Sequence, residues 1–132
     1  MLKILGRKTS SNVMKVLMVC HELKIPFTRE DIGGPFGKNN EPAYLALNPN
    51  GLVPTIDDDG FILWESHAIM RYLATKHRGT ALWPEELQAR ANVDRWMEWG
   101  NTTAGPAITP MFLQLVRTPA PDRDPKVIEA SR

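Results

Sequence analysis

The chain has 132 residues, and 16 Lys and Arg against 15 Asp and Glu leave a formal charge of +1. So balanced a surface exerts no bulk pull on a phosphate backbone or an acidic membrane, which sets aside nucleic acid and lipid as charge-driven partners. With 42% hydrophobic and 23% charged residues the composition is that of an ordinary globular protein, and the single cysteine, Cys20, excludes an internal disulfide framework and a thiolate zinc cluster.

Leu2 to Leu5 opens the chain as a short strand, and a polar stretch from Arg7 to Asn12 leads into a helix. In that helix Val13, Val16, Leu17, Cys20 and Leu23 recur at helical spacing. Ser10, Ser11 or Asn12 can cap its start, and Pro26 stops it. The longest early apolar run, Val16 to Cys20, is too short for the core of a signal peptide, and no window reaches the roughly 20 apolar residues of a membrane span, so a cytoplasmic protein is expected.

Phe27 to Ile32 reads as a second strand. Gly33 to Asn40, rich in glycine and asparagine, reads as a mobile loop, and Glu41 to Leu47 as a short helix ended by Asn48-Pro49. Two apolar runs follow, Leu52 to Ile56 and Phe61 to Trp64, joined by Asp57-Asp58-Asp59-Gly60, a hairpin signal. From Ser66 to about His77 the spacing of Ala68, Ile69, Tyr72 and Leu73 predicts another helix. The order strand, helix, strand, helix, hairpin, helix predicts an α/β domain with a mixed sheet of four strands covered by helices.

Arg78 to Pro84 reads as a linker, and a long helix starts near Glu85 with acidic residues in its first turn. Gly105-Pro106 and Pro110 are expected to bend or interrupt that helix, Arg117 to Pro125 to form a loop, and Pro125 to Arg132 to begin a further helix.

The run Asn48-Pro49-Asn50-Gly51-Leu52-Val53-Pro54-Thr55-Ile56, the Asp-Gly hairpin, and Leu63-Trp64-Glu65-Ser66-His67-Ala68-Ile69-Met70-Arg71-Tyr72-Leu73 resemble the glutathione-binding half of cytosolic glutathione transferases. With Ser10-Ser11-Asn12-Val13-Met14-Lys15-Val16 at the first helix start, the resemblance covers about residues 1–78. It implies a thioredoxin-like domain of order βαβαββα over 1–78, a linker over 79–84, and over 85–132 the incomplete start of the family's all-helical second domain. The activity it implies is that of a glutathione transferase, with glutathione as co-substrate, no metal, a small electrophile or disulfide as second substrate, and a homodimer. Two other functions fit the same residues: a glutathione-dependent disulfide-bond reductase, and a non-catalytic binding module that keeps the fold.

The chemistry requires a thiolate. A free thiol is only about 3% ionised at pH 7, and lowering its pKa by two units takes about 2.7 kcal/mol of differential stabilisation. One hydrogen bond to the anion supplies roughly 1.5–3 kcal/mol and a helix N-terminus up to about 1 kcal/mol more. By the resemblance, a serine hydroxyl donates to the glutathione sulfur with help from the Asn12 amide. The spacing to Lys15 resembles that of the family's serine-type and bacterial Thr-x-Asn members, which implies Ser10 with Asn12, and Ser11 is the alternative; simple helix capping is the plainer role for all three.

The resemblance further implies a cis Val53-Pro54 bond that turns the Val53 backbone toward the cysteinyl part of glutathione like an added strand. Ser66, at a helix start, meets the γ-glutamyl carboxylate while Glu65 meets its ammonium. Lys38 reaches the glycyl carboxylate or is simply a solvated loop lysine, and Arg7 is a similar candidate. Cys20 lies about 12 Å along the helix from Asn12, on the apolar face, and is expected in the core. His21, His67 and His77 share no metal-ligand spacing. Trp96 and Trp99 are expected to pack on an amphipathic helix or to wall a pocket or dimer contact.

Overall fold

The computed structural model describes residues 1–131, which divide into two compact units, the first Met1–Glu85 and the second from Glu86 onward. In the first, the strands β1 (Leu2–Leu5), β2 (Phe27–Glu30), β3 (Thr55–Asp58) and β4 (Phe61–Trp64) form one sheet in the order β2-β1-β3-β4. β1 pairs parallel with β2, Leu2 opposite Phe27, and antiparallel with β3, Ile4 opposite Ile56, while β3 and β4 make the hairpin. This is the mixed four-stranded sheet expected from the element order, in the thioredoxin-like arrangement that the resemblance implies.

The two-residue period of a strand assigns its faces. Leu2 and Ile4 point to one side, where α1 (Ser11–Glu22) and α3 (Ser66–Lys76) bring Val13, Val16, Val19, Cys20, Ile69 and Leu73 to meet them and Ile56. Leu5 points to the other side and packs with Ile32 and with Tyr44 of the single-turn α2 (Pro42–Leu45). Each of the fully buried aliphatic side chains contributes roughly 1.5–3 kcal/mol relative to exposure. Both helices on the first face therefore begin at the same end of the sheet as the loop that enters β3.

Several elements differ in detail from the sequence reading. β2 ends at Glu30 rather than Ile32, although the Ile32 carbonyl still accepts from the Arg7 N–H at 3.0 Å. A 3-10 turn, Gly34–Phe36, occupies part of the loop expected over 33–40. β3 spans Thr55–Asp58 instead of Leu52 to Ile56, since proline at 54 has no N–H for a ladder, and the chain turns at Asp59-Gly60. Residues 79–84, expected as a linker, turn back on α3: the Gly79 N–H donates to the Ala74 carbonyl at 2.8 Å and the Trp83 N–H to that of Gly79 at 2.9 Å.

The second unit opens with α4 (Leu87–Trp99), whose N-cap Glu86 accepts from the Gln88 and Ala89 N–H groups at 2.9 and 2.7 Å; those two bonds hold its carboxyl below the usual carboxylate range. The helical run does not stop at the prolines. A π turn (Gly100–Ala104), α5 (Gly105–Phe112) and a second π turn (Leu113–Arg117) carry it to residue 117. The first π turn falls where the Pro106 ring would meet the Thr102 carbonyl, and Thr109 Oγ1 donates to the Gly105 carbonyl at 2.7 Å within the proline-containing segment. A 3-10 turn (Ala120–Asp122) and α6 (Pro125–Ala130) close the unit. Among the described residues no helix is long and apolar enough to cross a membrane.

Candidate functional site

α1 is preceded by Ser10, whose extended backbone (φ −81°, ψ 126°) makes it the N-cap; its carbonyl accepts from the Met14 N–H at 2.8 Å. Its hydroxyl makes no capping bond, and the residue is nearly buried. The helix-capping role therefore leaves the hydroxyl unused. Ser11 is exposed on the first turn, and Asn12 turns into a cleft.

That cleft, about 350 Å³ of space open to solvent, is lined by Asn12, Asn48, Asn50, Leu52, Val53, Pro54, Glu65 and Ser66. The Val53-Pro54 bond is cis. The loop before it is clamped from below. The Leu52 carbonyl accepts from Tyr44 Oη at 2.6 Å and from Asn48 Nδ2 at 2.9 Å, and both side chains also reach Thr55 Oγ1, at 2.8 and 3.0 Å. Asn48 Oδ1 in turn accepts from the Asn50 N–H at 3.1 Å, an Asx turn. Burial pushes the Tyr44 hydroxyl pKa upward against the opposing bonds from Thr55 and Asn48, so it stays a neutral donor. With Leu52 held in this way, Val53 is presented at the rim, and among the described residues its backbone N–H and C=O have no hydrogen-bond partner.

α3 supplies the far wall. Its N-cap, Glu65, is a non-glycine residue at φ +73°, a conformation that stores roughly 1–3 kcal/mol and tends to occur at functional sites. No side chain caps the helix, so the positive end of an 11-residue helix opens beside Ser66, which is itself buried to 7% exposure. Two uncapped helix starts and an unpaired stretch of backbone thus surround one cleft, an arrangement suited to an extended, zwitterionic peptide-like ligand.

The structure brings together Asn12, Val53, Pro54, Glu65 and Ser66, and sets Ser10 two residues before Asn12 at the same helix start. It does not bring Lys38 there. Lys38 Nζ meets Glu30 Oε1 at 3.2 Å and lines a separate depression with Lys3, Glu30 and Tyr44. The two lysines, Lys3 and Lys38, hold the Glu30 carboxyl below its ordinary range. Arg7 lies over Gly33 and Gly34. Cys20 is fully buried, and desolvation pushes its thiol up to about 11, so it does not serve as a nucleophile. Among the described residues no group of three or more His, Cys, Asp and Glu is placed to hold a metal ion.

Asn48, Asn50 and Leu52 were not singled out in the sequence, although the doubled Asn of Asn-Pro-Asn-Gly was a signal for the Asx turn. Nor was Lys15, whose ammonium reaches Asn12 Oδ1 at 3.1 Å and His67 Nε2 at 3.3 Å.

Residues 9–76 match the family model described as glutathione S-transferase, N-terminal domain. The chain belongs to the glutathione S-transferase family. Glutathione S-transferase GstB of Escherichia coli strain K12 is 44% identical over 133 residues, covering 99% of this chain and 64% of the relative. Among solved structures, the theta class glutathione S-transferase of Xanthomonas axonopodis pv. citri with glutathione bound superposes with a TM-score of 0.94 at 45% identity, over 98% of this chain and 62% of that one. Glutathione S-transferase I from maize, in complex with an atrazine glutathione conjugate, gives a TM-score of 0.86 at 27% identity, over 98% of this chain and 62% of that one. The chain thus spans less than two thirds of the length of these relatives.

Proposed function

We propose that this chain binds glutathione in the cleft between the starts of α1 and α3 and stabilises its thiolate for attack on an electrophile. The observation that carries this reading is the convergence, from three distant stretches of sequence, of Asn12, the Val53-Pro54 backbone and Glu65-Ser66 on one donor-rich cleft. A relative at 45% identity is described with glutathione bound, which supports the same ligand here.

In this reading the Val53 N–H and C=O pair with the cysteinyl residue of glutathione. The Ser66 hydroxyl and the open N–H groups of α3 take the γ-glutamyl carboxylate, and Glu65 takes its ammonium. The sulfur then lies near the α1 start, where the Ser10 hydroxyl donates to it and the Asn12 amide assists, with Ser11 as the alternative donor. The thiol proton passes to water. The thiolate forms a carbon–sulfur bond to the electrophile, whose leaving group departs with its electron pair. Lys38, engaged with Glu30, is left outside the ligand set. The protein acts in the cytoplasm and as a homodimer.

The test is calorimetry with glutathione, followed by titration of thiolate absorbance against pH. The wild-type chain binds glutathione and ionises it below its solution pKa. Ser10→Ala combined with Asn12→Ala raises the bound thiol pKa by about one unit or more, as expected for the loss of one to two hydrogen bonds to an anion. An absence of binding overturns the reading, and an unchanged titration moves the donor role to Ser11, to Arg7 or to backbone donors.

A further inference from the structure

We propose that Lys15 is a positioning residue for the sulfur end of this cleft: it locks the Asn12 amide with its NH2 group turned toward the bound sulfur and ties that amide to His67 on α3. The inference rests on the glutathione reading above and adds a residue to it.

The chemistry of the ammonium fixes the orientation. A lysine head group carries three donors and no acceptor, so the Asn12 atom 3.1 Å from Nζ has to be the carbonyl oxygen. An asparagine whose oxygen is held in this way directs its NH2 elsewhere, and Asn12 borders the cleft. Released from Lys15, the amide is free to rotate and present its oxygen to the thiolate, replacing a donor with a repulsive acceptor. The helix favours the contact, because residues three apart are neighbours on its surface and long side chains lean toward the N-terminus.

The same argument applies to His67: with the ammonium as donor, its Nε2, 3.3 Å from Nζ, is the accepting nitrogen. His67 directly follows Ser66, so one ammonium joins the residue at the sulfur end to the helix start that receives the γ-glutamyl end. Glu65 is the remaining charge facing Lys15; burial lowers the Lys15 pKa and Glu65 opposes that. A half-buried lysine bridging two helices in this way is poorly explained as a solvated surface charge.

The experiment is a double-mutant cycle read by the pKa of the bound glutathione thiol. Lys15→Met and Asn12→Ala each raise it by a similar amount, about one unit for one charged hydrogen bond. The double variant is no worse than Asn12→Ala alone, and Lys15→Arg, which keeps donors for both acceptors, restores most of the loss. Additive effects would mean that Lys15 acts on the sulfur through its own charge and would overturn the proposal. So would a lowered melting temperature with an unchanged thiol pKa. If Lys15→Met does not fold, the 15N shifts of the His67 ring in the wild-type chain decide: a protonated Nε2 overturns the lock. Failure of the wild-type chain to bind glutathione in calorimetry marks instead the failure of the functional reading.

Discussion

At Gly6, between β1 and α1, the first atom of any side chain would lie 2.6 Å from Val13 Cγ2 and 3.2 Å from Val53 Cβ. The bare backbone lets the α1 start and the Val53 loop close against the end of the sheet. Gly6→Ala is therefore expected to destabilise the protein by about 1–3 kcal/mol, the range for overpacking a tight site. Because Val53 is one of the two neighbours displaced, glutathione affinity should fall as well, which calorimetry on the folded variant will measure. Single residues differ in how well the sequence announces them. Pro54, Glu65 and Ser66 stand in a dense motif and were legible. Lys15 served only as a spacing marker, because its significance comes from His67, 52 residues away. Lys38 reads equally as a ligand or a solvated loop lysine for the opposite reason: nothing local reveals that Glu30 Oε1 lies 3.2 Å from its ammonium.

Among the elements, β3 shows where local pattern fails. Asp57 and Asp58 read as turn residues because they are acidic and precede Asp59-Gly60, yet Asp58 ends a strand and is buried to 8% exposure. Its partners come from α3: Tyr72 Oη donates to Asp58 Oδ2 at 2.7 Å, and Lys76 Nζ makes a salt bridge to the same oxygen. Those bonds, Lys76 first, hold the Asp58 carboxyl below its ordinary range, and the same carboxylate raises the pKa of both partners. Asp58→Asn is expected to lower stability by about 1.5–3 kcal/mol at neutral pH. A carboxyl whose folded pKa is depressed contributes fully above its unfolded value, near 4, and loses that contribution as pH falls through the folded value. The gap between wild type and variant in urea titrations should therefore be widest at about pH 7 and narrow as pH falls below the unfolded value near 4. A gap independent of pH would show that the buried carboxylate is not stabilised by its charge. The helix from residue 87 to 117 taught the complementary lesson. Gly105-Pro106 and Pro110 signal a bend or interruption, and the structure makes it with π turns on either side of α5, a form of interruption that composition does not specify.

For the whole molecule, the four-stranded order, both packed helices and the main walls of the cleft were readable in the first half of the sequence, because alternation, helical spacing and the Val53-Pro54 and Glu65-Ser66 motifs agree there. The second unit was less legible: its prolines do not say what form the interruption takes, and among its described residues no side chain is fully buried. Trp96, Trp99, Ile108 and Val116 are all at least half exposed. Water-facing aromatic and aliphatic groups in that number favour association. Sedimentation equilibrium of the purified chain is expected to give a dimer, and substitution of Trp96 and Trp99 by serine to shift it toward monomer. A monomer at all concentrations would remove the homodimer from the proposed function.

Every residue that lines the cleft lies between Asn12 and Ser66, and the proposed donor Ser10 lies just before them. Under natural selection this makes the two halves of the gene unequal in their freedom to drift. Substitutions beyond residue 86 exchange none of the groups in the cleft wall, so a lineage can rewrite the later sequence while inheriting that wall unchanged. Divergence among descendants of such a chain should accordingly concentrate after that point, with the stretch from Ser10 to Ser66 the slowest to change.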